Sequence, residues 1–273
     1  MSARDPHRFS HELDAAAVDR VIARLESRAQ DTVFMRLFEK YVAHLTLPES
    51  AQVLEVGCGS GAMLRFLARR GDFSGRLVGV DQCPSFIQAA NRFADAEGVE
   101  GLVDFRVEDA HSLGFATASF DVVIAHTLVS HVTEPAAVLR EMARVVRPGG
   151  TVVVFDGDYE SLTYAFPDHD FGRRMDAALV NATFNNPRIM RDLPRLLPDL
   201  GLELTVAWGD AVAEIGRASY FRSFAEVYVP YVTNAGLLPA DAVAGWWTAQ
   251  QQSMQNNTFF ACCNYYTYLA RRI

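Results

Sequence analysis

The segment 53–61, which reads VLEVGCGSG, constrains the fold more than any other part of the chain. It places three glycines within five residues, directly after a hydrophobic run. Glycine lets the backbone turn sharply and come close to a ligand, because a Cβ atom would intrude there. We therefore predict a buried strand at 51–56, a ligand-binding turn and a helix at 62–70.

Strands and helices alternate after this turn. Apolar patterns predict strands at 76–80, 103–107, 120–125 and 151–155, and helices at 85–96 and 135–146. Such alternation requires crossover connections, which give a parallel sheet covered by helices on both faces. Two further helices, at 13–28 and 33–45, precede the first strand. The expected fold class is therefore α/β, with a doubly wound, Rossmann-like sheet.

The chain after residue 157 has a different pattern. It predicts a helix at 173–184, a strand at 202–207 and a final apolar run at 258–270. Helical stretches rich in aromatic residues lie between the last two. These aromatic side chains either pack the stretch against the sheet or line a substrate pocket, and the sequence leaves both readings open.

We divide the chain into three parts on this basis. Residues 1–50 form an N-terminal helical segment, and residues 51–156 form the ligand-binding core. Residues 157–273 complete the sheet and carry a helical insert, at about 210–255, that covers the ligand-binding edge.

Composition and charge exclude several classes of function. The net charge of −8 and the single lysine, Lys40, argue against a nucleic-acid binder, which needs basic residues for phosphate contacts. No apolar run approaches the roughly twenty residues that cross a bilayer, and residues 1–10 are too polar for a signal peptide. We therefore expect a cytoplasmic protein without nucleic-acid or membrane partners.

The cysteines and histidines do not form a metal-binding motif. The four cysteines, Cys58, Cys83, Cys262 and Cys263, lack zinc-ligand spacing. Since free cysteine is often buried, we expect all four to be reduced packing residues. His169, within PDHD, matches no ligand motif either. We expect no metal ion.

The glycine turn alone is compatible with two cofactor classes. The spacing of Gly57, Gly59 and Ala62 also satisfies a loose dinucleotide fingerprint. Asp81 ends the predicted second strand, where a carboxylate can accept hydrogen bonds from both ribose hydroxyls of a nicotinamide or an adenosine ligand. An NAD-dependent oxidoreductase therefore remains an alternative at this point.

Further motifs distinguish the two classes. Glu55 precedes the first glycine by two residues, VEDA ends the third predicted strand at 107–110, SFDVV opens the fourth at 119–123, and LREMARVVRPGG closes the next helix at 139–150. From about residue 52 to residue 155, this ordered series resembles the class I S-adenosylmethionine-dependent methyltransferases. It is most similar to the small-molecule enzymes of ubiquinone and menaquinone biosynthesis.

The resemblance implies a fold, a cofactor and a set of site residues. The sheet would have seven mainly parallel strands with the last one antiparallel. The cofactor would be S-adenosyl-L-methionine, with S-adenosyl-L-homocysteine as product. The implied cofactor-binding residues are Glu55, Gly57, Gly59, Gly61, Asp81, Gln82, Asp109, Ala110 and His126. The carboxylate of Glu55 beside the glycine turn would repel a pyrophosphate and attract the ammonium of the methionine part.

Candidate catalytic and substrate-binding residues follow the fourth and fifth strands. His131 is the candidate base for an acceptor that must lose a proton, although transfer by proximity alone is also possible. Asp158 and Tyr159 are the candidate substrate contacts. The expected activity is O-, C- or N-methylation of a small apolar or aromatic molecule, in secondary metabolism or quinone-type biosynthesis. A methyltransferase-fold protein that catalyses cyclisation or rearrangement is a second alternative.

An oligomer is also compatible with the sequence. Either the N-terminal helices or the aromatic insert would supply the contact between copies.

Overall fold

The computed structural model describes residues 15–71 and 75–273, and in these ranges the chain forms one seven-stranded sheet flanked by helices. The strands are β1 (Gln52–Val56), β2 (Arg76–Asp81), β3 (Val103–Val107), β4 (Phe120–His126), β5 (Val146–Tyr164), β6 (Leu202–Gly216) and β7 (Phe259–Arg272). The helices are α1 (Ala15–Gln30), α2 (Thr32–Val42), α3 (Ala62–Arg69), α4 (Pro84–Glu97), α5 (Pro135–Val145), α6 (His169–Thr183), α7 (Ile189–Asp199), α8 (Tyr220–Asn234) and α9 (Ala240–Gln255).

The strand order is β3-β2-β1-β4-β5-β7-β6. Strands β1 to β5 pair in parallel, whereas β7 is antiparallel to both β5 and β6. The predicted doubly wound sheet with an antiparallel last strand is therefore confirmed. The order reverses between β1 and β4, and ligands of open α/β sheets bind beyond the carboxyl ends of the strands at such a switch point.

The two faces of the sheet pack against different helices. Alternate residues of β1 point to opposite faces, so Val53 and Glu55 share one face while Leu54 and Val56 share the other. Val53 packs in the core formed with α2, α3, α6 and α8. Leu54 and Val56 pack in the core formed with α5 and α7. Glu55 therefore belongs to the face that carries α2 and the aromatic helix α8.

Strands β5 and β6 are longer than predicted. β5 runs from Val146 to Tyr164 rather than from 151 to 155, because Val146 pairs with β4 and β7 pairs with β5 as far as Tyr164. β6 continues to Gly216 rather than ending at 207. The helical insert accordingly occupies residues 217–258, not about 210–255. It lies between Gly216 and Phe259, which pair with each other across β6 and β7.

Helix α7 has no counterpart among the predicted elements. It contains Pro194 and Pro198, and proline within a helix removes a backbone hydrogen bond. Pro194 cannot donate to the carbonyl of Met190 four residues earlier. The hydroxyl of Tyr268 donates to that carbonyl instead, at 2.8 Å. A contact from β7 therefore supplies the hydrogen bond that the proline cannot donate to the Met190 carbonyl.

Helix α1 lies between the glycine turn and the insert. Leu25 packs beside Gly59, and Glu26 forms an ion pair with the buried Arg65 of α3 at 2.6 Å. The start of the predicted helix at 13–28, and the polar residues 1–10, lie outside the described residues. None of the described helices combines the length and apolarity that a bilayer crossing requires.

Four aromatic side chains of the insert are enclosed by the protomer itself. They are Tyr220, Phe221, Phe224 and Tyr228, and all of them are buried. An oligomer contact through the N-terminal helices or through other residues of the insert stays a prediction.

Candidate active site

A cavity of about 340 Å³ opens at the carboxyl edge of the sheet, beyond β1, β2 and β4. Its floor is the glycine turn with the ends of these strands, and its walls come from α1, from the segment after β4, and from β5 and α8. Predicted residues that line it are Glu55, Gly57, Gly59, Asp81, Gln82, Asp109, Ala110, His126, His131 and Tyr159. The fold thus brings most of the predicted site together.

The glycine turn is held by the neighbouring strand. The backbone N–H groups of Gly57 and Cys58 both donate to the carbonyl of Val80, at 2.8 and 2.9 Å. Asp81 then accepts from the N–H of Gly59 at 3.0 Å and from that of Cys83 at 2.9 Å. Burial raises the pKa of Asp81, although these two N–H groups oppose the shift. One carboxylate therefore fixes the turn at the cavity floor.

Glu55 is the most unusual group in the cavity. Its side chain is only 3% exposed, and Oε2 has no hydrogen-bond partner among the described residues. Burial raises its pKa to about 8, and Asp81 adds to the rise while the charge of Arg28 opposes it. A buried carboxylate without a partner is costly, so it is suited to a cationic ligand group. The hydroxyl of Ser60, also in the cavity, is another buried group without a described partner.

Asp109 and Ala110 lie at the rim of the cavity, after β3. The Asp109 carboxylate accepts from the backbone N–H of His111 at 2.9 Å and contacts the His111 ring at 2.7 Å. Burial pushes the pKa of Asp109 upwards, but these contacts outweigh it and lower the pKa. The carboxylate is therefore ionised at neutral pH and, being exposed, can accept further hydrogen bonds.

His126 ends β4 deep in the cavity. Its Nδ1 lies 2.9 Å from the hydroxyl of Tyr41, and its ring packs against Phe155. Burial, aided by the charge of Arg28, holds the pKa of His126 well below its usual range. The ring is neutral at pH 7, so it can orient a ligand but carries no charge toward it.

His131 and Tyr159 face the cavity from the side of the insert. The ring of His131 lies 5.0 Å from that of Phe184, and the ring of Tyr159 stacks on the same phenylalanine at 3.5 Å. An imidazole thus lies beside an aromatic wall in this part of the cavity.

Two predicted site residues do not line the cavity. Asp158 is buried, and its carboxylate binds the guanidinium of Arg191 on α7 at 2.8 Å. We therefore withdraw it as a substrate contact. Gly61 is the N-cap of α3, and a Cβ atom there would meet Phe105 and Ala90 rather than the cavity. Its role is to let the turn and the helix pack closely, not to touch a ligand.

Several lining residues were not foreseen. Arg24 and Arg28 of α1 and Phe184 after α6 line the cavity, beside Phe224 and Tyr228 of α8, which one reading of the insert had predicted. The two arginines stand four residues apart, so they share one face of a helix. The spacing predicts that the two side chains lie together. The packing of α1 over the glycine turn is what shows that their face of the helix points into the cavity. Of the aromatic residues in the insert, Tyr220 and Phe221 pack internally, so both readings of the insert hold for different residues.

Sequence comparison matches the same region as the motifs. Residues 54–154 match the family described as methyltransferase domain. The chain contains a methyltransferase domain. The predicted resemblance, from about residue 52 to residue 155, is therefore confirmed.

Two curated relatives are similar to this chain. An uncharacterized 37.1 kDa protein in a transposon of Streptomyces fradiae is 32% identical over 71% of this chain and 55% of its own length. A ubiquinone biosynthesis O-methyltransferase from Xanthomonas axonopodis is 34% identical over 41% of this chain and 45% of its own length. The matches thus span about half of the relatives.

A solved structure supports the fold of the methyltransferase domain and of the parts around it. A putative methyltransferase from Bacillus halodurans superimposes with a TM-score of 0.61, covering 86% of this chain and 98% of the other at 16% identity. This likeness covers more of the chain than residues 54–154, the range that the family matches.

Proposed function

We propose that this chain is an S-adenosylmethionine-dependent methyltransferase that acts on a small apolar or aromatic molecule. The observation that carries the proposal is Glu55, a buried carboxylate with one unpartnered oxygen in a cavity built on a glycine turn. A cofactor with an ammonium group and no phosphate satisfies that oxygen. The residues present therefore fit S-adenosylmethionine.

Each part of the cofactor has a candidate partner. Glu55 would bind the methionine ammonium, and Arg28 the methionine carboxylate. Arg28 lines the cavity, acts electrostatically on Glu55 and forms no ion pair with a carboxylate of the described residues. Asp81 would hold the ribose hydroxyls. Gln82, Asp109 and Ala110 would hold the adenine, and His126 would contact the methionine part.

The chain's own contribution to methyl transfer is alignment and proton removal. When bound, S-adenosylmethionine supplies an electrophilic methyl group. The aromatic wall of Tyr159, Phe184 and Phe224 would hold an apolar acceptor and exclude water. His131 would accept a proton at its imidazole from a phenol, an enol or an acidic carbon. The relative from Xanthomonas, named for ubiquinone biosynthesis, supports an aromatic or quinone-like acceptor.

Titration calorimetry with S-adenosylhomocysteine and with NADH tests the cofactor assignment. We expect micromolar binding of S-adenosylhomocysteine and no measurable binding of NADH. A pyrophosphate at the glycine turn would meet the carboxylate of Glu55, which disfavours a dinucleotide. Binding of NADH without binding of S-adenosylhomocysteine would instead support an oxidoreductase.

Product mass separates methyl transfer from rearrangement. The acceptor gains about 14 daltons in a methylation and nothing in a cyclisation, because a cyclisation only redistributes bonds. Mass spectrometry of a converted acceptor therefore decides between these activities on the same fold.

The affinity for S-adenosylhomocysteine should rise with pH. The ammonium binds the ionised form of Glu55, whose pKa is about 8 without ligand. Ionisation, and with it the affinity, increases about tenfold per pH unit below that pKa and levels off above it. Calorimetry from pH 6 to pH 9 should show this slope and the release of close to one proton at pH 7. A dissociation constant that is flat between pH 6 and pH 8 would contradict the assignment of Glu55.

The cellular setting is also a proposal. The four free thiols support a reducing compartment such as the cytoplasm. We propose a small-molecule acceptor as the principal partner.

A further inference from the structure

Arg24 is a buried cation on α1 whose neighbours are aromatic. It is 7% exposed, and its guanidinium carbon lies 5.2 Å from each of the ring centres of Tyr220, Phe224 and Tyr228. Its Nη1 donates to the hydroxyl of Ser223 at 2.8 Å. All four neighbours belong to α8, so the side chain reaches from the N-terminal helices into the insert.

The charge of Arg24 has no anionic partner in the described parts of the chain. No carboxylate there lies within ion-pair distance of it, in contrast to the buried Arg65, which binds Glu26 and Glu97. Burial disfavours the charge of Arg24, but the surrounding tyrosines outweigh burial and raise the pKa, so the group stays cationic. Ring faces and hydroxyls offset only part of the cost of burying an ion.

Arg24 also lines the ligand cavity, together with Phe184, Phe224 and Tyr228. A ligand that enters this part of the cavity meets aromatic walls and one desolvated guanidinium. We propose that the methyl acceptor carries a carboxylate that binds Arg24 and an aromatic body that packs against Phe184, Phe224 and Tyr228. This specificity assignment rests on the proposed function, since it takes the occupant of the aromatic side to be the acceptor.

The two arginines of the cavity would then serve different anionic groups. Arg28 acts on Glu55 and His126, at the end of the cavity formed by β1 and β4. Arg24, one helical turn away, makes its side-chain hydrogen bond and its ring contacts with residues of α8. Arginine suits this task because its planar fork can bind both oxygens of a carboxylate, which a lysine cannot do.

The test compares acids with their amides on the protein saturated with S-adenosylhomocysteine. The probes are benzoate, 4-hydroxybenzoate and 2-naphthoate, each paired with the amide of the same shape, with binding measured by titration calorimetry. We expect at least one acid to bind ten times or more as tightly as its amide. Arg24→Gln should remove this preference, and Arg24→Lys should retain part of it.

Arg20→Gln is the matched control, because Arg20 lies one turn earlier on the same helix and is exposed. It should leave the preference intact. The proposal is overturned if no acid binds more tightly than its amide, or if Arg24→Gln weakens acid and amide equally. The second result would mean that Arg24 only anchors the insert.

The same titrations keep this proposal separate from the cofactor assignment. If S-adenosylhomocysteine binds but no acid is preferred, the anionic acceptor is refuted while the proposed function stands. If S-adenosylhomocysteine does not bind, the proposed function is refuted. In that case, the affinities of acid and amide for the protein without S-adenosylhomocysteine decide whether Arg24 binds an anion.

Discussion

Replacing Glu55 with glutamine should weaken the binding of S-adenosylhomocysteine on the order of a hundredfold, a loss of about 3 kcal/mol. Glutamine keeps the shape of the side chain but cannot supply the negative charge that a buried ammonium requires. The ammonium would then be desolvated without a counter-charge, which is the costly way to break a buried ion pair. Titration calorimetry at pH 8 measures the change directly.

Glu203→Gln is a suitable control for this prediction. Glu203 lies on β6 and pairs with Arg271 at an exposed site, at 2.7 Å. The same chemical change there should leave the affinity unaltered. If Glu55→Gln also leaves it unaltered, Glu55 does not bind the ammonium, and the main support for the cofactor assignment is lost.

Gly61→Ala should destabilise the fold by about 3 kcal/mol, the largest loss that we expect from a single methyl group. Gly61 has a φ of +73°, and a Cβ atom there would overlap the ring of Phe105 and lie 3.1 Å from the Cβ of Ala90. A left-handed backbone costs an alanine about 1–2 kcal/mol, and the overlap adds about 1–3 kcal/mol. Urea unfolding followed by circular dichroism gives the free energy of unfolding.

Gly98→Ala isolates the backbone part of this cost. Gly98 ends α4 with a φ of +68°, and no atom of the described residues lies within 4 Å of its added Cβ. We expect a loss of only about 1 kcal/mol at this position. Equal losses at the two positions would show that Phe105 moves aside, and that the packing of the turn is looser than the structure indicates.

The cofactor side of the cavity could be predicted because its geometry is local. Glu55, Asp81 and Asp109 each lie in or just after a parallel strand, and neighbouring parallel strands bring their carboxyl ends to one edge. The positions of these residues in the sequence therefore predict that they lie together at one edge of the sheet.

The acceptor side depends on contacts between distant parts of the chain. Asp158 was expected at the same edge, but β5 continues past it and Arg191 of α7 binds its carboxylate. Pro194 is unfavourable inside the helix that carries Arg191. The hydroxyl of Tyr268 on β7 replaces the backbone donor that this proline lacks. The position of Arg24 likewise depends on the packing of α1 against α8, which no spacing in the sequence encodes.

The insert enters and leaves the sheet at Gly216 and Phe259, which are neighbours across two antiparallel strands. Two such strands can be joined by a turn of two residues, so the pairing of β6 with β7 does not depend on what lies between them. The register therefore sets no limit on the length of the insert, but any replacement of residues 217–258 must still cover the sheet face against which Tyr220, Phe221 and Trp246 pack. Under the proposed function, grafting this one segment would change the acceptor side of the cavity at Phe224 and Tyr228, while the glycine turn stays as it is.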